Sequence, residues 1–344
     1  MRPPRKSRPL VTCRSSEALT FDDARVAIGM DGWFFPMSNL SGVVVGIQLS
    51  RVDDGGDVNK DFLDLFKDHL GGSVLKAKFT IKDSGKCAKT WRWSVSGQQA
   101  IAVLRSVGPP PTKEHQWFNV MVNVERCMFD GVKGRKPPCV WEARASWARD
   151  HCIVSTDAWK QGLGSSDPAA ASTAEDYYHG TMKATWGSTC SKFCRSLGVV
   201  MAMDGSSSVR PPKKGFDVIV AFHQKNAAWL RGLARRIDEC IPDAGRGNAA
   251  NLAAIHVKSE TTGQKVLRCY ALAYTGENAK VLARAIWKFC RFKAKKMFHC
   301  GFGNRAYGHV ADGPGVWNEE VYELCLYEKR NWHQWDYEHS EHEE

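Results

Sequence analysis

Apolar positions fall into short periodic blocks along this chain, and the same order of blocks occurs twice. In the first passage Ala24, Ala27 and Ile28 recur at helical spacing up to Met30-Asp31-Gly32. A β-branched run, Val43 to Ser50, predicts a strand. Phe62, Leu63, Phe66 and Leu70 then share one face of a helix that Gly71-Gly72 ends. Two alternating stretches, Val74 to Lys82 and Lys89 to Ser96, flank Asp83-Ser84-Gly85-Lys86 and predict a hairpin. A helix from Gly97 carries Ile101, Leu104 and Val107 and stops at Pro109-Pro110-Pro111. Lys113-Glu114-His115-Gln116 opens another helical stretch.

The second passage repeats the order. Leu197 to Ala202 leads into Met203-Asp204-Gly205, followed by a strand from Phe216 to Gln224. A helix with Trp229, Leu230, Leu233 and Ile237 precedes two strands, Leu252 to Lys258 and Lys265 to Tyr274. A last helix from Gly276 carries Val281, Leu282, Ala285 and Phe289 and runs into Arg291 to Lys296. Spacings agree: Asp31 to Lys113 is 82 residues and Asp204 to Lys293 is 89, while Gly97 to Lys113 is 16 and Gly276 to Lys293 is 17.

Each passage therefore predicts helix, strand, helix, strand, strand, helix: an α+β unit whose antiparallel sheet packs on helices. Two such units in one chain imply internal pseudo-two-fold symmetry in a monomer. The expected divisions are a basic flexible arm (1–20), the first repeat (21–127), a connection (128–187), the second repeat (188–299) and an aromatic, acidic extension (300–344). Small and turn-forming residues from Gly162 to Thr173 predict a flexible linker, and Cys139 to Cys152 a helix packed on the first repeat.

Alternation assigns faces to the strands. Lys76, Lys78, Thr80 and Lys82 share one side of their strand, and Thr90, Arg92, Ser94 and Ser96 one side of its neighbour. Pairing those two sides would make a cationic sheet surface suited to phosphate contacts. In the second repeat His256 and Lys258 share a side, and Arg268 shares one with Tyr270 and Tyr274, which could stack unpaired bases or be buried.

Charge sharpens this picture. The 344 residues carry a formal net charge of +11. Residues 318–344 hold nine acids and two bases, which leaves 46 bases against 28 acids in the rest. A body that basic expects a polyanion, nucleic acid first. Twelve cysteines at irregular spacings, with no C-x-x-C, read as reduced thiols in an intracellular compartment. Residues 1–16, with five bases and no acid, fit a mitochondrial or chloroplast transit remnant as well as a solvated arm. No apolar run approaches the ~20 residues that span a bilayer, so no membrane partner is expected. A P-loop, a dinucleotide fingerprint and a nucleophile elbow are all missing, which leaves a metabolic enzyme without support.

An apolar helix ending in Asp-Gly, present twice and each time followed by this order of strands and helices, resembles the LAGLIDADG family of homing endonucleases and maturases. The motif stands here as Ala24 to Gly32 and Leu197 to Gly205, with Arg25, Val26 and Val199 where the family has small residues. The resemblance implies that the two motif helices pack together and that Asp31 and Asp204 hold the catalytic divalent metal, Mg2+. It implies electrostatic roles near the scissile phosphate for Lys113 and Lys293. It implies a water-ordering role for Gln224, whose position in the first copy falls to Arg51. Together with the strand faces, this makes Gln48, Arg51, Lys76, Lys78, Lys82, Arg92, Lys258 and Arg268 the expected nucleic-acid contacts. Two functions fit. One is a site-specific, metal-dependent endonuclease on double-stranded DNA. The other is a non-cleaving descendant on structured RNA: a splicing factor, a maturase or a structural part of an organellar ribonucleoprotein such as a ribosome.

Overall fold

The computed structural model describes residues 18–37, 42–50, 58–80, 87–110, 112–129, 168–210, 216–245, 250–258, 263–310 and 313–325. The first half runs α1 (Phe21–Met30), β1 (Gly32–Pro36), β2 (Val43–Ser50), α2 (Val58–Leu70), β3 (Ser73–Thr80), β4 (Cys87–Ser96), α3 (Gly97–Val107) and α4 (Glu114–Phe129). Helix α5 (Pro168–Thr185) leads to the second half: α6 (Cys190–Asp204), β5 (Gly205–Val209), β6 (Val218–Gln224), α7 (Ala227–Cys240), β7 (Ala250–Lys258), β8 (Lys265–Thr275), α8 (Gly276–Ile286) and α9 (Ala294–Phe302). Two antiparallel four-stranded sheets result, with matching orders β1-β2-β4-β3 and β5-β6-β8-β7. This is the α+β, two-repeat architecture expected from the block pattern.

One strand per half is new. The motif helix turns directly into β1 or β5, each only five residues long. Gly-Trp-Phe-Phe-Pro and Gly-Ser-Ser-Ser-Val are too short for alternation to declare them. The glycine after each aspartate is dictated by that turn. A Cβ on Gly32 would stand 2.6 Å from Ile28 Cα, and one on Gly205 2.6 Å from Met201 Cα.

The stretch expected as a linker is in part helical. Helix α5 starts at Pro168, where the missing N–H costs nothing, and continues through Ala169-Ala170-Ala171, the best helix former in a row. Its Tyr178 and Met182 are buried against α7, so this element belongs to the second half's core. The expected helix at Cys139 to Cys152 and the turn at Asp83 to Lys86 lie outside the described residues.

The halves meet through α1 and α6, which pack on each other. Val26, Ala27 and Ile28 from one helix and Leu197, Val199 and Met201 from the other are fully buried. Thr20 caps α1 in a reciprocal box with Asp23. The Asp23 carboxylate is 0% exposed and also receives Arg195 Nη2 at 2.8 Å and Arg291 Nη2 at 2.9 Å, both from the second half. Burial opposes that charge, but the two guanidiniums hold its pKa below the ordinary carboxylate range.

Candidate functional site

Helices α1 and α6 deliver Asp31 and Asp204 to one point, where the two side chains are hydrogen-bonded to each other. Burial pushes both carboxyls above their ordinary range, and the Asp31 charge adds to the effect on Asp204, which reaches about 7. Like charges this close cannot both ionise cheaply, so the pair tends to keep one proton between them. Gln224, at the end of β6, donates from Nε2 to Asp204 Oδ2 at 3.3 Å.

Lys113 and Lys293 stand beside the pair in matching roles. Lys113 Nζ donates to the carbonyls of Ile28 (3.2 Å), Met30 (3.0 Å) and Gly32. Lys293 Nζ donates to Met201 (3.1 Å), Met203 (3.4 Å) and Gly205 (2.7 Å). In both halves the acceptors are three before, one before and one after the aspartate. An ammonium has three hydrogens, and here two are directed at the last turn of its own motif helix and the third at the first residue of the strand that follows. Those carbonyls lack intrahelical partners, and a cation there also favours the helix dipole. Burial lowers both lysines to about 8, against the opposing pull of Asp31 and Asp204. The lysines are therefore clamps on the helix ends that carry the acids.

The strands correct the expected interface. Opposite residues in an antiparallel pair share a face, and β3 pairs with β4 as Val74–Trp93, Lys76–Trp91 and Lys78–Lys89. Lys76 and Lys78 thus lie on the helix-packed side, where Lys76 Nζ is 5.7 Å from the Trp91 ring centroid. Arg92 is opposite Leu75, which is 60% exposed on the saddle face, the face of the sheet turned away from the helices. Alternation had given the two faces of each strand, but only the register says which faces join, and it is offset by one residue from the expected pairing. Gln48 is on the saddle face with Arg92 and donates to Thr90 Oγ1 at 2.9 Å.

In the second sheet the pairing skips Arg268: Ile255 is opposite Cys269 and His256 opposite Leu267. This bulge takes Arg268 out of line with Tyr270, Leu272 and Tyr274, and its charge reaches His223 on the saddle face. Tyr274 is fully buried. Lys258 is opposite Lys265 at the end of β7. Register also revises the partner of Gln224. Gly32 is opposite Ile47 and Gly205 opposite Phe222, so the counterpart of Gln224 is the buried Leu49 rather than Arg51. Arg51 and Lys82 lie outside the described residues.

Sequence reasoning missed the Asp23–Arg195–Arg291 cluster, because an acid in the first turn of a helix looks like an ordinary dipole partner. Among the described residues no group of three or more His, Cys, Asp or Glu side chains is arranged to hold a metal ion.

No protein-family model matches the chain, and no curated protein is similar to it in sequence. Among solved structures, the LAGLIDADG meganuclease I-AabMI bound to uncleaved DNA is similar over 92% of this chain and 98% of its own, with 10% identity and a TM-score of 0.41. The LAGLIDADG homing endonuclease I-GzeII in complex with its DNA target is similar over 91% and 97%, with 10% identity and a TM-score of 0.38. The homing endonuclease I-WcaI bound to its DNA recognition sequence is similar over 84% and 89%, with 9% identity and a TM-score of 0.38.

Proposed function

We propose that this chain is a nucleic-acid-binding protein of the LAGLIDADG type, with Asp31 and Asp204 as a shared Mg2+-dependent centre for phosphodiester hydrolysis. The observation that carries the reading is the meeting of one carboxyl from each half at the junction of α1 and α6. Two carboxylates are the protein donor set that Mg2+ commonly uses when water and phosphate oxygens complete its shell. The donors fit in charge as well, since a divalent cation would offset the like-charge pair that otherwise has to share a proton.

Asp31 and Asp204 would hold the metal, which when bound activates water and neutralises charge developing on the phosphate. The chain's own groups set the geometry. Gln224 orients the Asp204 carboxyl through its Nε2 hydrogen bond. Lys113 and Lys293 fix the helix ends and supply positive potential to the pair. With their hydrogens on backbone carbonyls they act through field and position rather than by gripping a phosphate.

The reading is tested by incubating a random supercoiled plasmid library with the full chain and Mg2+. Nicking by wild type that is abolished in both Asp31→Asn and Asp204→Asn supports it. Nicking that survives either substitution, or a wild type that cuts nothing, removes the hydrolytic centre.

A second reading is favoured by the register of β3. With Lys76 and Lys78 off the saddle, Arg92 is the cation on that face among the described residues of the first sheet. That is thin provision for a long duplex backbone, and it favours a non-cleaving protein that binds structured RNA. Tight RNA binding retained by both aspartate variants, without nicking, would select this reading.

A further inference from the structure

Directly after Asp31, strand β1 places two aromatic rings on the saddle face. Trp33 is opposite Gly46 and Phe35 opposite Val44, the side shared with Gln48, Ser94 and Arg92. The rings are stacked, with centroids 5.4 Å apart and planes 19° from parallel. Phe35 is 50% exposed. Trp33 lies flat across the sheet because Gly46 has no side chain: a Cβ there would be 2.4 Å from the indole Cζ2. A glycine in the middle of a strand otherwise weakens it. The matching positions after Asp204 are Ser206 and Ser208, so the feature breaks the pseudo-symmetry beside the carboxylate pair.

We infer that Trp33 and Phe35 form a stacking platform for an unpaired RNA base. This rests on the nucleic-acid-binding part of the function proposed above. In a duplex the base faces are covered by their neighbours, whereas the loops of folded RNA leave them open to aromatic side chains. The rest of the face suits a strand with few phosphates near it. Ser73, Thr90 and Ser94 surround Arg92, which is two strands across and two residues along from Trp33, about 12 Å away at ordinary strand spacing and rise. Arg92 is half-buried, and the outer nitrogens of its guanidinium are the cationic donors this face offers a phosphate oxygen.

The test uses the full chain and three probes: an RNA hairpin with 2-aminopurine in an unpaired loop, the same RNA closed into a continuous duplex, and a DNA hairpin of the same sequence. Looped RNA should bind about ten-fold tighter than the paired form, with quenching of the 2-aminopurine. Phe35→Ala and Trp33→Ala should each lose about ten-fold on the loop and nothing on the duplex, and Trp33→Phe should restore binding. Phe35 is exposed, so its variant separates stacking from folding. Variants that bind the loop like wild type, a loop no better than the duplex, or a DNA hairpin as good as the RNA would each overturn the platform. Failure to bind any of the three would bring down the nucleic-acid reading itself.

Discussion

The carboxyls of Asp31 and Asp204 meet at the junction of two helices, 173 positions apart along one chain. The contact joins the ends of the two motifs. It also stores repulsion, because a carboxyl driven up to about 7 prefers the unfolded chain, where it ionises freely, at any pH above its ordinary range.

Removing one member of the pair should therefore stabilise the metal-free protein. Asp204→Asn is expected to raise the thermal midpoint at pH 8 by several degrees, from a gain of roughly 2 kcal/mol. Added Mg2+ should raise the wild-type midpoint and leave the variant unmoved. The sign for the native acid runs the same way: its folded pKa is raised, so wild type should lose the pair's share of stability as pH climbs from about 4 to about 7. Calorimetry in chelator and in Mg2+ checks both.

The lysine clamps predict a different profile. Lys113→Met and Lys293→Met each leave three carbonyls at a helix–strand junction without their donor, at an expected cost of roughly 2–4 kcal/mol. If the ammonium served a phosphate instead, stability would stay put and only activity would fall. Urea unfolding of the two variants separates these outcomes.

Asp23 ties the halves together, and its sign is opposite to that of Asp204. Its folded pKa is lowered, so its contribution is complete above the ordinary carboxylate range and fades as pH falls through the folded value. Asp23→Asn should cost roughly 3–5 kcal/mol at pH 7, because the buried Arg291 and the partly exposed Arg195 lose their counter-charge. The deficit should shrink in acid. Unfolding curves at pH 7 and pH 3 measure it.

Register makes a prediction for binding. Arg92→Ala should weaken nucleic-acid binding and reduce its salt dependence, whereas Lys76→Ala, on the helix side against Trp91, should leave both unchanged. Affinities at two salt concentrations would show the reverse if Lys76 faced the ligand.

These cases also show what the sequence made legible. The repeat, the Asp-Gly helix ends and the later helices follow from periodicity, which local sterics enforce. The five-residue strands β1 and β5 escaped because they are shorter than any reliable alternation. The faces of Lys76 and Arg268 escaped for another reason: a one-residue offset and a bulge are settled between strands, not within one. The grouping of Asp31, Asp204, Lys113, Lys293 and Gln224 came from the resemblance to the LAGLIDADG family, since periodicity alone brings no two of them together. What the lysines do there did not, since an ammonium after a helix looks the same whether it faces solvent or clamps a neighbouring helix end.

Titration of the aspartate carboxyl carbons by carbon-13 NMR, in wild type and in Asp31→Asn, tests the meeting of the two halves most directly. One carboxyl of the wild type should titrate near 7 and move down when Asp31 is replaced. An Asp204 carboxyl that titrates in the ordinary range and ignores the residue at position 31 would show that the two acids do not share a site.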